Sequence, residues 1–387
     1  MSYKQKFALS VCGLVVFSGV FAIRAASAWR EVRDVNSAVL QVNDWVTLAS
    51  DPEPGRTTRV ILKLSGKRYV AYMSGVSARR IATAMAGESV HLKATALPGA
   101  PRYLAVRHVV GVMENAEIRE MIGTGSALTR STNKIRRTIS EGARSMSSEH
   151  KALFTGLVIG DDRFQSPQMV EDFRASGISH LTAVSGQNVA FLLAAAMPIL
   201  SRLSPRRRFV VTVSLIAWFV LLTRAEPSVL RAAGMSVIGA YGFMSGRHWS
   251  SLRILAMAAG VFLLIDPLLA WSVGWWLSVS ASAGIGATAI PISRRIPGPR
   301  QLSELLGATL AAQIATMPIS LYVFGRFAPL GIFANLLTVP VAGLVMLVGV
   351  PLGLISGVAP DHIATLLIKP VELGVWWIAT VASWFSV

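Results

Sequence analysis

Long apolar runs dominate the chain from Phe154 onward, and no other feature restricts the fold as strongly. Eight are read as spans: His180–Leu200, Phe209–Thr223, Val229–Ser245, Leu252–Ile265, Trp271–Ile292, Leu302–Phe324, Leu330–Leu354 and Ile363–Phe385. A helix needs about 20 apolar residues to cross a bilayer, and a helix satisfies its own backbone hydrogen bonds there. Charged residues make up only 15% of the chain, against about a quarter in soluble globular domains. The expected fold class is a polytopic α-helical membrane protein with an extracytoplasmic OB-like β-barrel domain. A disordered chain, a disulfide scaffold and a purely soluble enzyme are excluded, and the lone Cys12 allows no intrachain disulfide or Cys-based metal site.

The net charge is +17, unusual in a chain so poor in charges. Between Arg24 and Lys151 there are 20 basic and 11 acidic residues, a net of +9. Such an excess holds loops at an anionic membrane face or meets a polyanion. Lys4 and Lys6 precede an apolar run from Phe7 to Ile23, and Ala26-Ser27-Ala28 has the form of a small-residue cleavage site. This segment is read as a membrane anchor, with a removable signal as the rival. Either way the two lysines place the N-terminus in the cytoplasm.

The polar block that follows alternates as strands do. The expected strands are Asp44–Ala49, Thr58–Leu64, Arg68–Met73, Ser89–Ala96 and Tyr103–Val112, with a helix over Val76–Ala86. Five strands with a helix after the third is the order of an OB-like barrel, a fold that often binds single-stranded nucleic acid. A purely structural barrel is the plain alternative. From Glu114 to Lys151 a basic pattern with helical spacing carries Leu128, Ile135 and Ile139, which reads as an amphipathic helix on the membrane face. A track for DNA phosphates is the sharper reading. The expected organisation is an anchor over 1–28, an OB-like domain over 29–115, a basic linker helix over 116–152 and a membrane core over 153–387.

The loops set the orientation. Arg202, Arg206, Arg207, Arg208, Arg247, Arg253, Arg294, Arg295 and Arg300 fall on one side, while alternate loops hold Arg224, Glu226, Asp266 and Arg326. By the positive-inside rule the arginine-rich side is cytoplasmic and the polar block lies outside.

Polar residues at membrane depth are costly and mark function by default. His180, Thr182, Ser185, Gln187 and Asn188 crowd the start of the first span, and Gly186 interrupts it. Arg231 opens the third span after Glu226-Pro227-Ser228, where it can snorkel, pair with Glu226 or face a pore. Gly274, Ser278, Ser282 and Gly286 recur every four residues, a stripe for close packing or a passage wall. Gln313, Thr316 and Ser320 share a helical face, and Asn335 precedes Thr338 and Pro340. Asp161 and Asp162 are adjacent on a loop and read as a turn or cap rather than a metal pair. The chain carries no P-loop and no metal-binding histidine cluster, so no cofactor or metal is expected.

Five blocks carry a family resemblance. GLVIGDDRF, FRASGISHLTAVSGQNV, PSVLRAAGM, WWLSVSASAGI and NLLTVP occur in the order in which the ComEC competence family shows similar blocks. The resemblance covers about Leu153 to Val350. It implies an inner-membrane channel, not an enzyme, that admits single-stranded DNA during natural transformation. His180, Thr182, Ser185, Gly186, Asn188 and Arg231 would form the pore or gate, with Ser278, Ser282, Gln313 and Asn335 as wall positions. Arg68, Arg79, Arg80, Arg102, Arg107, Arg136 and Arg137 are the expected DNA contacts. Asn188 stands where the family commonly has His, and the chain ends without the metallo-β-lactamase-like domain of many members. The implied partners are single-stranded DNA, the lipid bilayer, a separate nuclease, a cytoplasmic ATPase or other energy source, and a periplasmic DNA receptor. The alternatives are a small-molecule or ion transporter and an intramembrane hydrolase built on Ser185 and His180.

Overall fold

A computed structural model of the chain describes residues 3–33, 39–122, 125–182, 184, 186–325 and 330–386. It divides into two compact units, Met1–Thr129 with Ala259–Ser272, and Arg130–Ala258 with Val273–Val387.

The first unit begins with helix α1 (Tyr3–Arg33), which contains the Ala26-Ser27-Ala28 stretch. Five strands follow: β1 (Leu40–Leu48), β2 (Thr58–Leu64), β3 (Lys67–Met73), β4 (Ser89–Pro98) and β5 (Val109–Ile122). Helix α2 (Gly75–Ile81) sits between β3 and β4, and the short helix α3 (Arg102–Ala105) between β4 and β5. The strands close into a barrel in the order β1-β2-β3-β5-β4, with β3 and β5 parallel and the other pairs antiparallel. Ser65 and Gly66 link β2 to β3 with φ of 48° and 86°, the paired positive values that fit a two-residue hairpin to the strand twist. Val42, Val46, Val60, Leu62, Tyr69, Val90 and Leu92 fill the barrel. On the other strand face, Ile61, Val70 and Val109 pack with Leu104 of α3. Both faces are therefore buried there, so Val60-Ile61-Leu62 of β2 and Tyr69-Val70-Ala71 of β3 are apolar at consecutive positions. Val32 of α1 packs with Ala105 and with Leu268 of the 3-10 turn Pro267–Trp271.

In the barrel β1 begins at Leu40 rather than Asp44 and α2 ends at Ile81 rather than Ala86, and two boundaries differ more. Residues 102–105 form a helix rather than the start of the last strand, and β5 runs on to Ile122, across the first part of the expected basic helix. Two bulges in the β4–β5 pairing keep so long a strand bent around the barrel.

The second unit is helical: α4 (Ala127–Gly142), α5 (Ser148–Ile159), α6 (Pro167–Ala175), α7 (Gly186–Leu200), α8 (Pro205–Leu222), α9 (Pro227–Met244), α10 (Ser251–Ile265), α11 (Val273–Ser293), α12 (Arg300–Phe324), α13 (Gly331–Val358) and α14 (Asp361–Trp384). Helix α4 begins and α10 ends in the first unit. Helices α7 to α14 match the eight apolar runs. Four of them, α11 to α14, are long and apolar enough to cross a membrane. Only 11% of the most apolar window of α11, and likewise of α12, is buried in the protein. Large apolar side chains of these two helices, among them Trp276, Ile290, Ile314 and Phe324, are exposed.

The core forms around α5. Leu153, Phe154, Leu157, Val158 and Ile159 are buried, because this helix is apolar on every side. Helix α4 is amphipathic: Thr132, Asn133, Arg136, Ile139 and Gly142 face inward, while Arg130, Lys134 and Arg137 are exposed. Added side-chain carbons at Gly142 and Gly357 would run into the carbonyls of Gly353 and Thr138, so α4 and α13 touch almost backbone to backbone. Gly349 and Gly353 likewise leave room for Phe154 of α5.

Candidate functional site

The polar segment before α7 is not one continuous span. After α6, Ser179–Leu181 form a 3-10 turn, and α7 begins only at Gly186. Gly186 therefore starts a helix instead of interrupting one. Gln165 ties the turn down, donating from Nε2 to the Thr182 carbonyl at 2.7 Å, while Thr182 Oγ1 donates to the Ser179 carbonyl at 2.8 Å. Asn188 is buried in the first turn of α7 and donates from Nδ2 to the Leu157 carbonyl of α5 at 3.0 Å. His180 is exposed on the turn, and Ser185 lies outside the described residues.

Arg231, on the second turn of α9, meets this helix start. It is 6% exposed, yet no described carboxylate pairs with it. Its Nε donates to Ser278 Oγ at 2.8 Å and its Nη1 to Ser282 Oγ at 2.6 Å. Ser278 and Ser282 are four residues apart on α11, so one helical face presents both oxygens to a single guanidinium. The remaining arm, Nη2, lies 3.1 Å from where a Cβ on Gly186 would stand. A side chain at 186 would close that approach. Ser228, one turn before Arg231, donates from Oγ to the Val184 carbonyl at 3.1 Å and fixes α9 beside the start of α7.

The electrostatics follow from this arrangement. A buried guanidinium without a carboxylate keeps its full charge in a medium of low dielectric, where serine oxygens offset only part of its lost hydration. The N-terminal end of α7 adds a partial positive charge of the same sign. Together they favour an anion at the α7–α9–α11 junction.

Of the expected pore positions, the structure brings together Gly186, Arg231, Ser278 and Ser282. Gln313 on α12 instead packs beside Gly331, with Nε2 3.3 Å from the place of an added Cβ. Asn335 is buried on α13. The small-residue stripe of α11 serves Arg231 through its serines. Close packing against α12 falls to Gly284 and Gly307, which the spacing did not single out.

The expected DNA contacts divide. Arg68, Arg79, Arg80, Arg102 and Arg107 are exposed on the barrel unit, and Arg137 is exposed on α4. On the barrel, Arg68 stands at the start of β3 and donates to the Arg107 carbonyl at 3.0 Å, while Arg79 and Arg80 follow the other end of that strand. Tyr72 and Tyr103, both exposed, join their hydroxyls at 3.2 Å. This bond, with partial burial, raises the Tyr72 phenol above its ordinary range.

Arg136 is corrected. Its side chain is fully buried and donates from Nη1 to the carbonyls of Ile159 and Leu222 at 2.5 and 2.6 Å. Those residues end α5 and α8, so the cation sits at two negative helix termini. Its Nη2 lies 3.6 Å from Asp161, whose carboxylate also receives Arg163 at 2.6 and 2.7 Å. Asp161 thus anchors this network, and no metal-binding cluster occurs among the described residues.

The family model described as Competence protein matches residues 157–387, more than half of the chain. The chain belongs to this family. Within the competence family, ComE operon protein 3 of Bacillus subtilis is 28% identical over 224 residues, covering 57% of this chain and 28% of that protein. Competence protein ComA of Neisseria gonorrhoeae is 26% identical over 255 residues, covering 62% of this chain and 36% of its own length. An uncharacterised Escherichia coli protein, YcaI, is 30% identical over 244 residues, 59% of this chain and 31% of that protein. The chain thus spans about a third of the length of these relatives. No solved structure matches it. The competence match takes in α7, α9 and α11, and so every residue of the Arg231 junction.

Proposed function

We propose that the helical unit is the inner-membrane core of a channel that passes single-stranded DNA into the cytoplasm during natural transformation. The observation that carries this reading is Arg231: a buried cation with no carboxylate, held open by two serines beside a helix N-terminus, suits a passing phosphodiester. Family membership supports a role in DNA uptake, and single-stranded DNA is the cargo this reading assigns. The channel is read as non-catalytic, with strand degradation and driving force supplied by a separate nuclease and by a cytoplasmic ATPase or other energy source. The barrel is read as an OB-like, extracytoplasmic domain that takes DNA from a periplasmic receptor through its exposed arginines, Tyr72 and Tyr103. The side follows from the arginine distribution among the loops.

The test is uptake of labelled DNA by a transformable host. Deleting the gene should abolish nuclease-protected cytoplasmic DNA while leaving surface binding intact, and Arg231→Gln should reproduce the deletion at normal protein level. Arg231→Lys keeps the charge but not the fork to both serines, and should retain part of the uptake. Normal transformation in the deletion strain refutes the reading. Full uptake by Arg231→Gln removes Arg231 from the path.

A further inference from the structure

The opposite end of α7 and α9 holds a crevice that DNA transport does not call upon. Its volume is about 250 Å³, and Leu193 and Met197 of α7, Phe209 and Thr212 of α8, and Gly239 and Phe243 of α9 line it. Gly239 leaves one wall without a side chain, and the nearest atom to an added Cβ there is Ile254 Cδ1 at 3.7 Å. The crevice is smaller than a typical small-molecule pocket and mostly apolar, the size and character of a site for one extended hydrocarbon chain.

Arg208 stands at its mouth. Its partners are soft: the guanidinium lies 4.6 Å above the Phe243 ring, and Nη2 is 3.3 Å from the Met197 sulfur. No described carboxylate pairs with it. Arg202, Arg206 and Arg207 flank it, and the sequence holds no acidic residue between Asp172 and Glu226. An aromatic group adjoins the same end, with Phe209 edge-on to Tyr241 at 6.2 Å and Tyr241 tilted against Trp249 at 6.4 Å. Aromatic rings beside cations mark the headgroup level of a bilayer, and basic pockets between helices at that level recognise anionic lipid headgroups.

We propose that this crevice binds an anionic phospholipid, with one acyl chain between α7, α8 and α9 and its phosphate against Arg208. The inference rests on the membrane reading of the helical unit. The two halves of the lipid meet the two halves of the site: the chain takes the apolar wall opened by Gly239, and the headgroup replaces the thioether and ring as partner of the cation. A zwitterionic lipid fits the same wall but brings a second, positive charge to an arginine cluster. Preference for the anionic lipid should therefore be about fivefold from Arg208 alone.

The experiment uses the full chain purified in mild detergent and incubated with equal phosphatidylglycerol and phosphatidylcholine, with retained lipid counted by native mass spectrometry. The wild type should hold one phosphatidylglycerol in preference. Arg208→Gln should lose that preference but still retain lipid, and Gly239→Leu, which fills the crevice, should lose both. Ala240→Leu serves if Gly239→Leu does not fold. Equal retention by the wild type and the filled variants overturns the proposal, as does a loss with Arg295→Gln as large as with Arg208→Gln. Release of the chain from membranes by alkaline carbonate refutes the membrane reading itself. A chain that resists carbonate yet shows no site-specific retention refutes only the lipid site.

Discussion

Replacing Arg136 with Met separates a buried structural cation from a DNA-contacting one. Methionine fills most of the volume of the arginine stem, so the change leaves little cavity and isolates the loss of the guanidinium. Two acceptors then lose their donor, the helix-end carbonyls of Ile159 and Leu222. Leaving a buried carbonyl unsatisfied costs about 1–3 kcal/mol. Asp161 retains its two bonds from Arg163, so its charge stays compensated. Removing the desolvated guanidinium offsets part of the loss, since buried ionic groups are often no more stabilising than apolar ones. The net expectation is a loss of about 2–4 kcal/mol. At about 2–4 °C per kcal/mol for a unit of this size, the melting temperature should fall by roughly 5–15 °C. The assay is thermal unfolding of the full chain in mild detergent, followed by far-ultraviolet circular dichroism. Arg137→Met, one residue on and exposed, should stay within about 0.5 kcal/mol of the wild type. A phosphate contact behaves oppositely: stability holds while the salt slope of DNA binding falls by about 0.7–0.9 per contact. Equal melting temperatures for the two variants would falsify the burial argument.

Gly142→Ala should destabilise by about 1–3 kcal/mol through its collision with the Gly353 backbone. Gly239→Ala, which meets only an ordinary contact on α9, should be neutral or stabilising by up to about 1 kcal/mol; thermal melts of the pair check the contrast. Replacing Ser278 and Ser282 together by Ala should cost about 3–5 kcal/mol, because Arg231 is left buried without an oxygen acceptor, with only the weak Met235 sulfur beside it. Each single change should cost far less than half of that, and strictly additive melts would show that the serines do not share one cation. Tyr103→Phe should bring the Tyr72 titration back toward its usual pH of about 10, read by tyrosinate absorbance. Because folding raises this phenol, its contribution to stability is complete below that pH and fades as the pH climbs through the folded value. An unchanged titration curve would show that the hydroxyl pair is not formed.

Much of the fold was legible because it is local. The apolar runs are long enough to identify eight helices, and their edges moved mostly by a few residues. The one large shift is at the first, where a 3-10 turn replaces the helix start expected at His180. Strand β4 announced itself by alternation, and β2 and β3 by short apolar stretches bounded by turn residues. The last strand did not, because Arg102–Ala105 turn helical under the packing of Leu104 against Ile61 and Val70. The apolar stripe of α4 was only partly legible. Ile139 is fully buried and Ile135 packs against the core as their spacing suggests, yet Leu128 is 57% exposed and the buried face also takes in Thr132 and Arg136. An arginine on the inner face defeats a pattern that equates burial with apolarity, since it is the two helix ends that make the position tolerable.

The candidate site shows the same division. Arg231 stood out alone as a cation at the start of an apolar run, and Ser278 and Ser282 as a polar stripe. Nothing in the residue order joined them. The sequence by itself determined the succession of apolar helices after a polar block of strands, since hydrophobic length and period are properties of neighbouring residues. Only the tertiary structure decided that α5 lies at the centre, that Arg136 closes two helix ends, and that Arg231 reaches serines 47 and 51 residues away beside Gly186. Those outcomes depend on which helices pack together, and that choice is made by the close approach of glycines and the pairing of buried polar groups across the whole unit.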